Sequence, residues 1–375
     1  MDNINSKIPY GKQSIAQADI DAVVEVLKSS HLTQGPRIEQ FEQAISNYCG
    51  VKHTKVVCNG TAALHLAYLA VGLKSGDLVW TSPNSFVATA NAALFCGAKV
   101  DFVDINPKTY NMSVECLEQK LIQAQKDNKL PDLVVPVHFA GQSCEMEKIW
   151  QLSQQYNFKI VEDACHALGG EYQGKKVGCC QYSHAAVFSF HPVKMITSGE
   201  GGAIVTNDKE MDYKIEVLRS HGIAKDDNKF QKIPDGGWYY EQQALGFNYR
   251  LTDIQAVLGI SQLKRLDEFV ARRREIADTY NKELKNVVLP YQHPDTNSSW
   301  HLYVIQVENR KEVYDLLKAN NIYVQIHYYP INQQLFYNRE PLNNVRNYYN
   351  NCISLPIYFQ LENNKLLEIV KKFVK

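Results

Sequence analysis

Short apolar runs of four or five residues alternate along this chain with longer stretches in which apolar side chains recur every three or four positions. The runs Lys55–Cys58, Leu78–Thr81, Lys99–Val103, Leu133–Val137, Phe158–Glu162, Ala185–Ser189 and Ala203–Thr206 have the length and continuity of buried strands. Helical periodicity covers Asp19–Ser29, Thr61–Val71, Phe86–Cys96, Val114–Ala124, Met146–Gln155 and Lys209–Leu218. Strands alternating with helices predict an α/β fold with a mostly parallel seven-stranded sheet covered by helices. A long helical pattern then runs from Thr252 to Leu284. Beyond it, strand patterns at Trp300–Val307 and Ile322–His327 flank a helix near Glu312–Ala319. The carboxy-terminal part therefore reads as a smaller α+β domain. The expected division is a large domain over 1–260 and a small one over 261–375, leaving room for the N-terminal segment to pack on the smaller one.

Composition narrows the function. Forty basic and forty acidic residues cancel, which removes any global electrostatic case for nucleic acid or an anionic membrane. Met1–Lys7 lacks an apolar signal core, and no uninterrupted apolar span reaches membrane length. The nine cysteines show no C-x-x-C pairing, and Cys179 and Cys180 are adjacent, which fits a reduced cytoplasm. The histidines form no HExxH pattern, so no metal is expected, and His138, His184 and His301 read as structural or hydrogen-bonded.

Three segments carry candidate chemistry. In Ser189-Phe190-His191-Pro192-Val193-Lys194, one amine follows an apolar strand and precedes the glycine-rich Gly199–Gly202. Between Ala185 and Val205 it is the only basic side chain besides His191. Desolvation there lowers an ammonium pKa, and a neutral lysine is a nucleophile that forms Schiff bases with carbonyls. In the second segment, the strand Phe158–Glu162 runs into Asp163, and α/β sheets bind ligands at such carboxyl ends. An ionised Asp163 can hold a heteroaromatic nitrogen protonated; it is equally suited to cap a helix. The third, Asn59-Gly60-Thr61 between a strand and an alanine-rich helix, offers free backbone N–H groups and a hydroxyl to one phosphate. Asn-Gly also opens many ordinary turns.

Two glycine-rich stretches are decoys. Gly169 to Lys176 nearly spells a nucleotide-binding loop, but Lys176 stands where a magnesium-binding hydroxyl is needed, and the stretch reads as two short strands around Gln173-Gly174. Gly199-Glu200-Gly201-Gly202 leads into a strand, whereas a dinucleotide fingerprint leads into a helix.

Leu32–Pro36, Asn59–Leu64, Ser82–Thr89, Glu162–Ala167, Ser189–Lys194, Gly199–Gly202 and Leu245–Thr252 together resemble the DegT/DnrJ/EryC1/StrS sugar aminotransferases, over nearly the whole chain. The resemblance implies a fold-type I, pyridoxal 5'-phosphate (PLP)-dependent enzyme. Lys194 would hold the cofactor as a Schiff base and act as general acid and base. Asp163 would pair with the pyridine nitrogen, and Gly60, Thr61 and Ser189 would bind the phosphate. Asn248 would reach that phosphate from a second subunit, making a homodimer. Phe86 would stack on the ring, with His166 beside it. The chain has Ser85 where the family usually has Thr, and Cys165 where Ser or Ala is usual. Relatives that dehydrate sugars replace the lysine with histidine, so Lys194 favours transamination. L-Glutamate would convert the cofactor to its pyridoxamine form, which then aminates the C4 ketone of a UDP-linked 4-keto-6-deoxy sugar.

Trp80–Pro83, Pro136–Met146, the His-Pro-Val before Lys194 and Leu218–Ile223 resemble the family members that work on the way to pseudaminic acid. That implies UDP-4-amino-4,6-dideoxy-N-acetyl-β-L-altrosamine as product. Members acting on the UDP-N-acetylbacillosamine precursor or on UDP-4-keto-arabinose are the alternatives, and a non-catalytic regulator on the same fold is a remote one. His327 and Tyr328 are candidate sugar-nucleotide neighbours, or simply a packed strand end.

Overall fold

The computed structural model describes residues 7 to 373; Met1–Ser6, part of the stretch without a signal core, lies outside them. All seven apolar runs enter one sheet. Its order is His53–Val57, Gly202–Thr206, Ala185–Ser189, Lys159–Asp163, Leu133–Val135, Leu78–Thr81, Lys99–Phe102. Only Gly202–Thr206 runs antiparallel to its neighbours.

Alternation along these strands sorts side chains to two faces. Val57, Val79, Val135, Val161 and Val187 pack with the helices Gly60–Ala70, Ala88–Phe95 and Lys209–Arg219 on one side. On the other, Val56, Ala186 and Phe188 meet Pro36–Cys49 and Asp253–Leu263, while Trp80, Val134 and Ile160 meet Val114–Lys126 and Met146–Tyr156. Short polar side chains set several helix starts: Asn59, Ser113, Asp208 and Thr252 each accept a first-turn backbone N–H.

The chain departs from its sequence pattern in several places. The stretch Thr252–Leu284 breaks at Lys264–Arg265 into Asp253–Leu263 and Leu266–Glu283. Leu266 and Phe269 of the second helix pack on the sheet, whereas Ile276, Ala277 and Tyr280 enter a separate core with Tyr303, Ile353 and Leu366. Ile322–His327 is not a strand. Tyr303–Gln306 pairs instead with Cys352–Leu355, and the expected strand touches that pair through a bridge from Gln325 to Ser354 and meets Ile8 at Ile322. The helix Pro36–Cys49, with Pro at its start and Gly50 at φ 68° after its end, was not expected from periodicity.

The glycine-rich decoys resolve as read. Glu171–Tyr172 and Lys175–Lys176 pair around Gln173 (φ 49°) and Gly174 (φ 73°), two left-handed residues of a tight hairpin turn. Among the described residues, no helix is long and apolar enough to cross a membrane.

Candidate active site

Three parallel strands deliver the candidate residues to one edge of the sheet. Lys159–Asp163 ends in Asp163, Ala185–Ser189 ends in Ser189, and His53–Val57 leads into the helix that begins at Gly60. Because the strands share a direction, these ends lie together. They line a cavity of about 560 Å³ with Thr61, Phe86, His166, Lys194, His327 and Tyr328. That volume suits a small organic ligand.

Asp163 is buried, and its carboxylate is held at two points. The Thr89 hydroxyl lies 2.6 Å from Oδ2, and the Cys165 backbone N–H donates to Oδ1 at 3.2 Å. A carboxylate has about four lone-pair sites, so acceptor capacity is left for a donor in the cavity. Lys194 is half-buried, and removal from water lowers its pKa, with Cys165 and Asp163 opposing that shift. More of its amine is therefore neutral than in an ordinary lysine. Burial, and then Asp163, push the Cys165 thiol well up, which keeps it uncharged.

The anion pocket depends on close backbone approach. Asn59 Oδ1 accepts the Ala62 N–H at 2.8 Å and caps the helix start. A Cβ on Gly60 would meet the Ser189 Cβ at 3.0 Å, and one on Gly202 would lie 2.5 Å from the Asn59 carbonyl oxygen. Glycine at 202 is required for this approach, and glycine at 60 eases it. The result is a helix N-terminus with the Ser189 hydroxyl close by, which fits a phosphate.

Aromatic and imidazole rings surround the rest. Phe86 is 60% exposed at the cavity mouth, its ring 6.5 Å from that of Tyr328. His166 Nε2 lies 3.1 Å from the Tyr328 hydroxyl, and its ring sits 4.4 Å from His301. Burial, then Lys194, hold His166 well below the ordinary imidazole range. The same forces depress His327 to about 3, and its Nδ1 lies 2.8 Å from the Ser354 hydroxyl.

Asn248 is not brought to the cavity of its own chain. It is exposed on the segment bridged to Ser220. Sequence reasoning also missed Thr89, Tyr10 and His301, all of which line the cavity. Thr89 reads as one more helical residue until the fold sets it against Asp163. His138 and His184 are hydrogen-bonded, whereas His301 Nδ1 is buried and has no partner among the described residues.

A lysine, an aspartate and a helix start thus gather at the carboxyl edge of a mainly parallel sheet, an arrangement suited to a small organic group that carries a phosphate. A family model described as the DegT/DnrJ/EryC1/StrS aminotransferase family matches residues 13–374, and the chain belongs to that family. It is 40% identical over 370 residues to the UDP-4-amino-4,6-dideoxy-N-acetyl-beta-L-altrosamine transaminase of Campylobacter jejuni, covering 94% of this chain and 93% of that one. Among solved structures, Helicobacter pylori PseC, an aminotransferase of pseudaminic acid biosynthesis, superposes with a TM-score of 0.90 at 34% identity, over 98% of each chain. The sugar aminotransferase Spr1654 of Streptococcus pneumoniae, solved in a PLP-form, superposes with a TM-score of 0.86 at 26% identity, over 98% of this chain and 97% of that one.

Proposed function

We propose that the protein is a PLP-dependent aminotransferase that moves the amino group of L-glutamate to the C4 ketone of a UDP-linked 4-keto-6-deoxy-N-acetylhexosamine, giving UDP-4-amino-4,6-dideoxy-N-acetyl-β-L-altrosamine for pseudaminic acid. The observation that carries it is the desolvated Lys194 in one cavity with Asp163 and the Gly60–Thr61 helix start. The relatives in Campylobacter and Helicobacter support the sugar. When bound, PLP supplies a carbonyl that condenses with amines and a ring that takes up the electrons of the resulting carbanion.

The chain's own residues do the rest. Asp163 would accept a proton-bearing ring nitrogen, Gly60, Thr61 and Ser189 would hold the phosphate, and Phe86 and His166 would contact the ring from the cavity wall. Lys194, whose ammonium is disfavoured by partial removal from water, would take and return a proton at Nζ. His327 and Tyr328 form the wall toward the sugar nucleotide. Exposed Ile233, Trp238 and Leu245 on the segment that carries Asn248 support a second subunit packing there. Nine free thiols support a reducing compartment, the cytoplasm.

The test is amination with PLP and glutamate, offering the L-arabino and D-xylo forms of the UDP-4-keto-6-deoxy-N-acetyl sugar separately and assigning product stereochemistry by NMR. Turnover of the L-arabino form alone supports this reading. Preference for the D-xylo form moves the enzyme to a bacillosamine-type role.

A further inference from the structure

The Thr89 hydroxyl sits among three polar atoms and has one proton to give. Its Oγ1 is 2.6 Å from Asp163 Oδ2, 3.2 Å from the Phe86 carbonyl oxygen and 2.8 Å from the Ser85 hydroxyl. An ionised carboxylate and a carbonyl can only accept. The shorter, charge-assisted contact takes the Thr89 proton. Ser85 must then donate to Thr89, because Thr89 has no proton left for it. Ser85, Thr89 and Asp163 are all buried, so water does not compete along this chain.

We infer that Ser85 and Thr89 form a one-way hydrogen-bond relay, Ser85 to Thr89 to Asp163, that holds Asp163 as an oriented carboxylate and makes Thr89 a positioning residue for the cofactor ring nitrogen. This rests on the functional reading above. With Oδ2 taken by Thr89 and Oδ1 by the Cys165 N–H, the remaining lone pairs are the ones left for the cavity. Thr89 thereby fixes where the free lone pairs of Asp163 point, so that a protonated ring nitrogen bound in the cavity would face them. Without the Thr89 donor the carboxylate would be free to turn away from that N–H.

The experiment is the 15N resonance of PLP labelled at its ring nitrogen, bound to wild type, Thr89→Val, Thr89→Ser and Ser85→Ala. The expected result is a shift toward the position of neutral pyridine in T89V, a smaller shift of the same sign in S85A, and the wild-type resonance in T89S, which keeps the hydroxyl. A merely structural role for Thr89 would not produce that order. Should T89V not fold, the S85A shift alone decides. Wild-type resonances in both T89V and S85A, with cofactor bound, overturn the relay and leave the functional reading standing. A wild-type protein that binds no PLP overturns the functional reading and the relay with it.

Discussion

Glu162 and Asp163 are consecutive buried carboxylates that one strand sends to opposite faces of the sheet. Asp163 turns into the cavity, against Thr89. Glu162 turns away from it and accepts from the Ser183 hydroxyl and, at 2.6 Å, from His138 Nε2. The charge of Glu162 favours a proton on that imidazole, but the Cys144 backbone N–H donates to Nδ1 at 3.1 Å and leaves no site for a second one. The ring is therefore neutral, with its single N–H aimed at Glu162. His138 also ties its own backbone N–H to the Asp163 carbonyl at 3.0 Å, so the strand end is pinned from behind.

Glu162→Ala leaves the His138 Nε2–H and the Ser183 hydroxyl buried without an acceptor. We expect a loss of about 1–3 kcal/mol for each stranded donor, read by urea unfolding of the cofactor-free protein. Asp163→Asn should cost less stability and instead weaken cofactor binding, so the two neighbours separate by readout. Equal loss of stability in both would contradict the division of labour between the two faces.

Gly202→Ala places a methyl group 2.5 Å from the Asn59 carbonyl oxygen and 2.9 Å from the Gly60 nitrogen, both backbone atoms. Something must move, at a cost of about 1–3 kcal/mol, and what moves is the Asn59–Gly60 turn proposed to hold the phosphate. PLP affinity should fall along with stability in calorimetric titration and urea unfolding.

Much of this fold can be read from the chain because its strands are short apolar runs that only a sheet can bury, and all seven enter one sheet. The strand Cys352–Leu355 escaped because it follows the polar Asn343–Asn351 and has four residues, too few to show a period. The break at Lys264–Arg265 escaped because both helices keep apolar spacing across it. In the site, Lys194, Asp163 and the Gly60 turn stand next to strand ends and announce themselves. Thr89 and His301 do not, because what matters about them is a contact across 74 residues to Asp163 in one case and a ring tilted against that of His166 in the other. Tertiary proximity of that kind leaves no local pattern.

His166 and His301 are both buried, and removal from water holds both well below the ordinary imidazole value. The unfolded chain takes up these protons near pH 6.5 and the folded one does not, so stability present at pH 7 is lost as the pH falls below about 6.5. Each histidine contributes a slope of up to about 1.4 kcal/mol per pH unit. Urea unfolding at pH 7, 6 and 5 should show His301→Gln flattening the acid limb by up to one proton's worth. An unchanged limb would mean that His301 is protonated in the folded protein.

Lys194 carries the central claim, and near-visible absorbance of the PLP-loaded protein tests it most directly. Wild type should show a band above that of free PLP's aromatic absorption, and excess L-glutamate should bleach it. Lys194→Ala should remain folded, lack the covalent band and lose roughly 10²–10⁴-fold or more in turnover. A wild-type band that glutamate leaves unchanged, or wild-type turnover in K194A, would contradict the role given to this lysine.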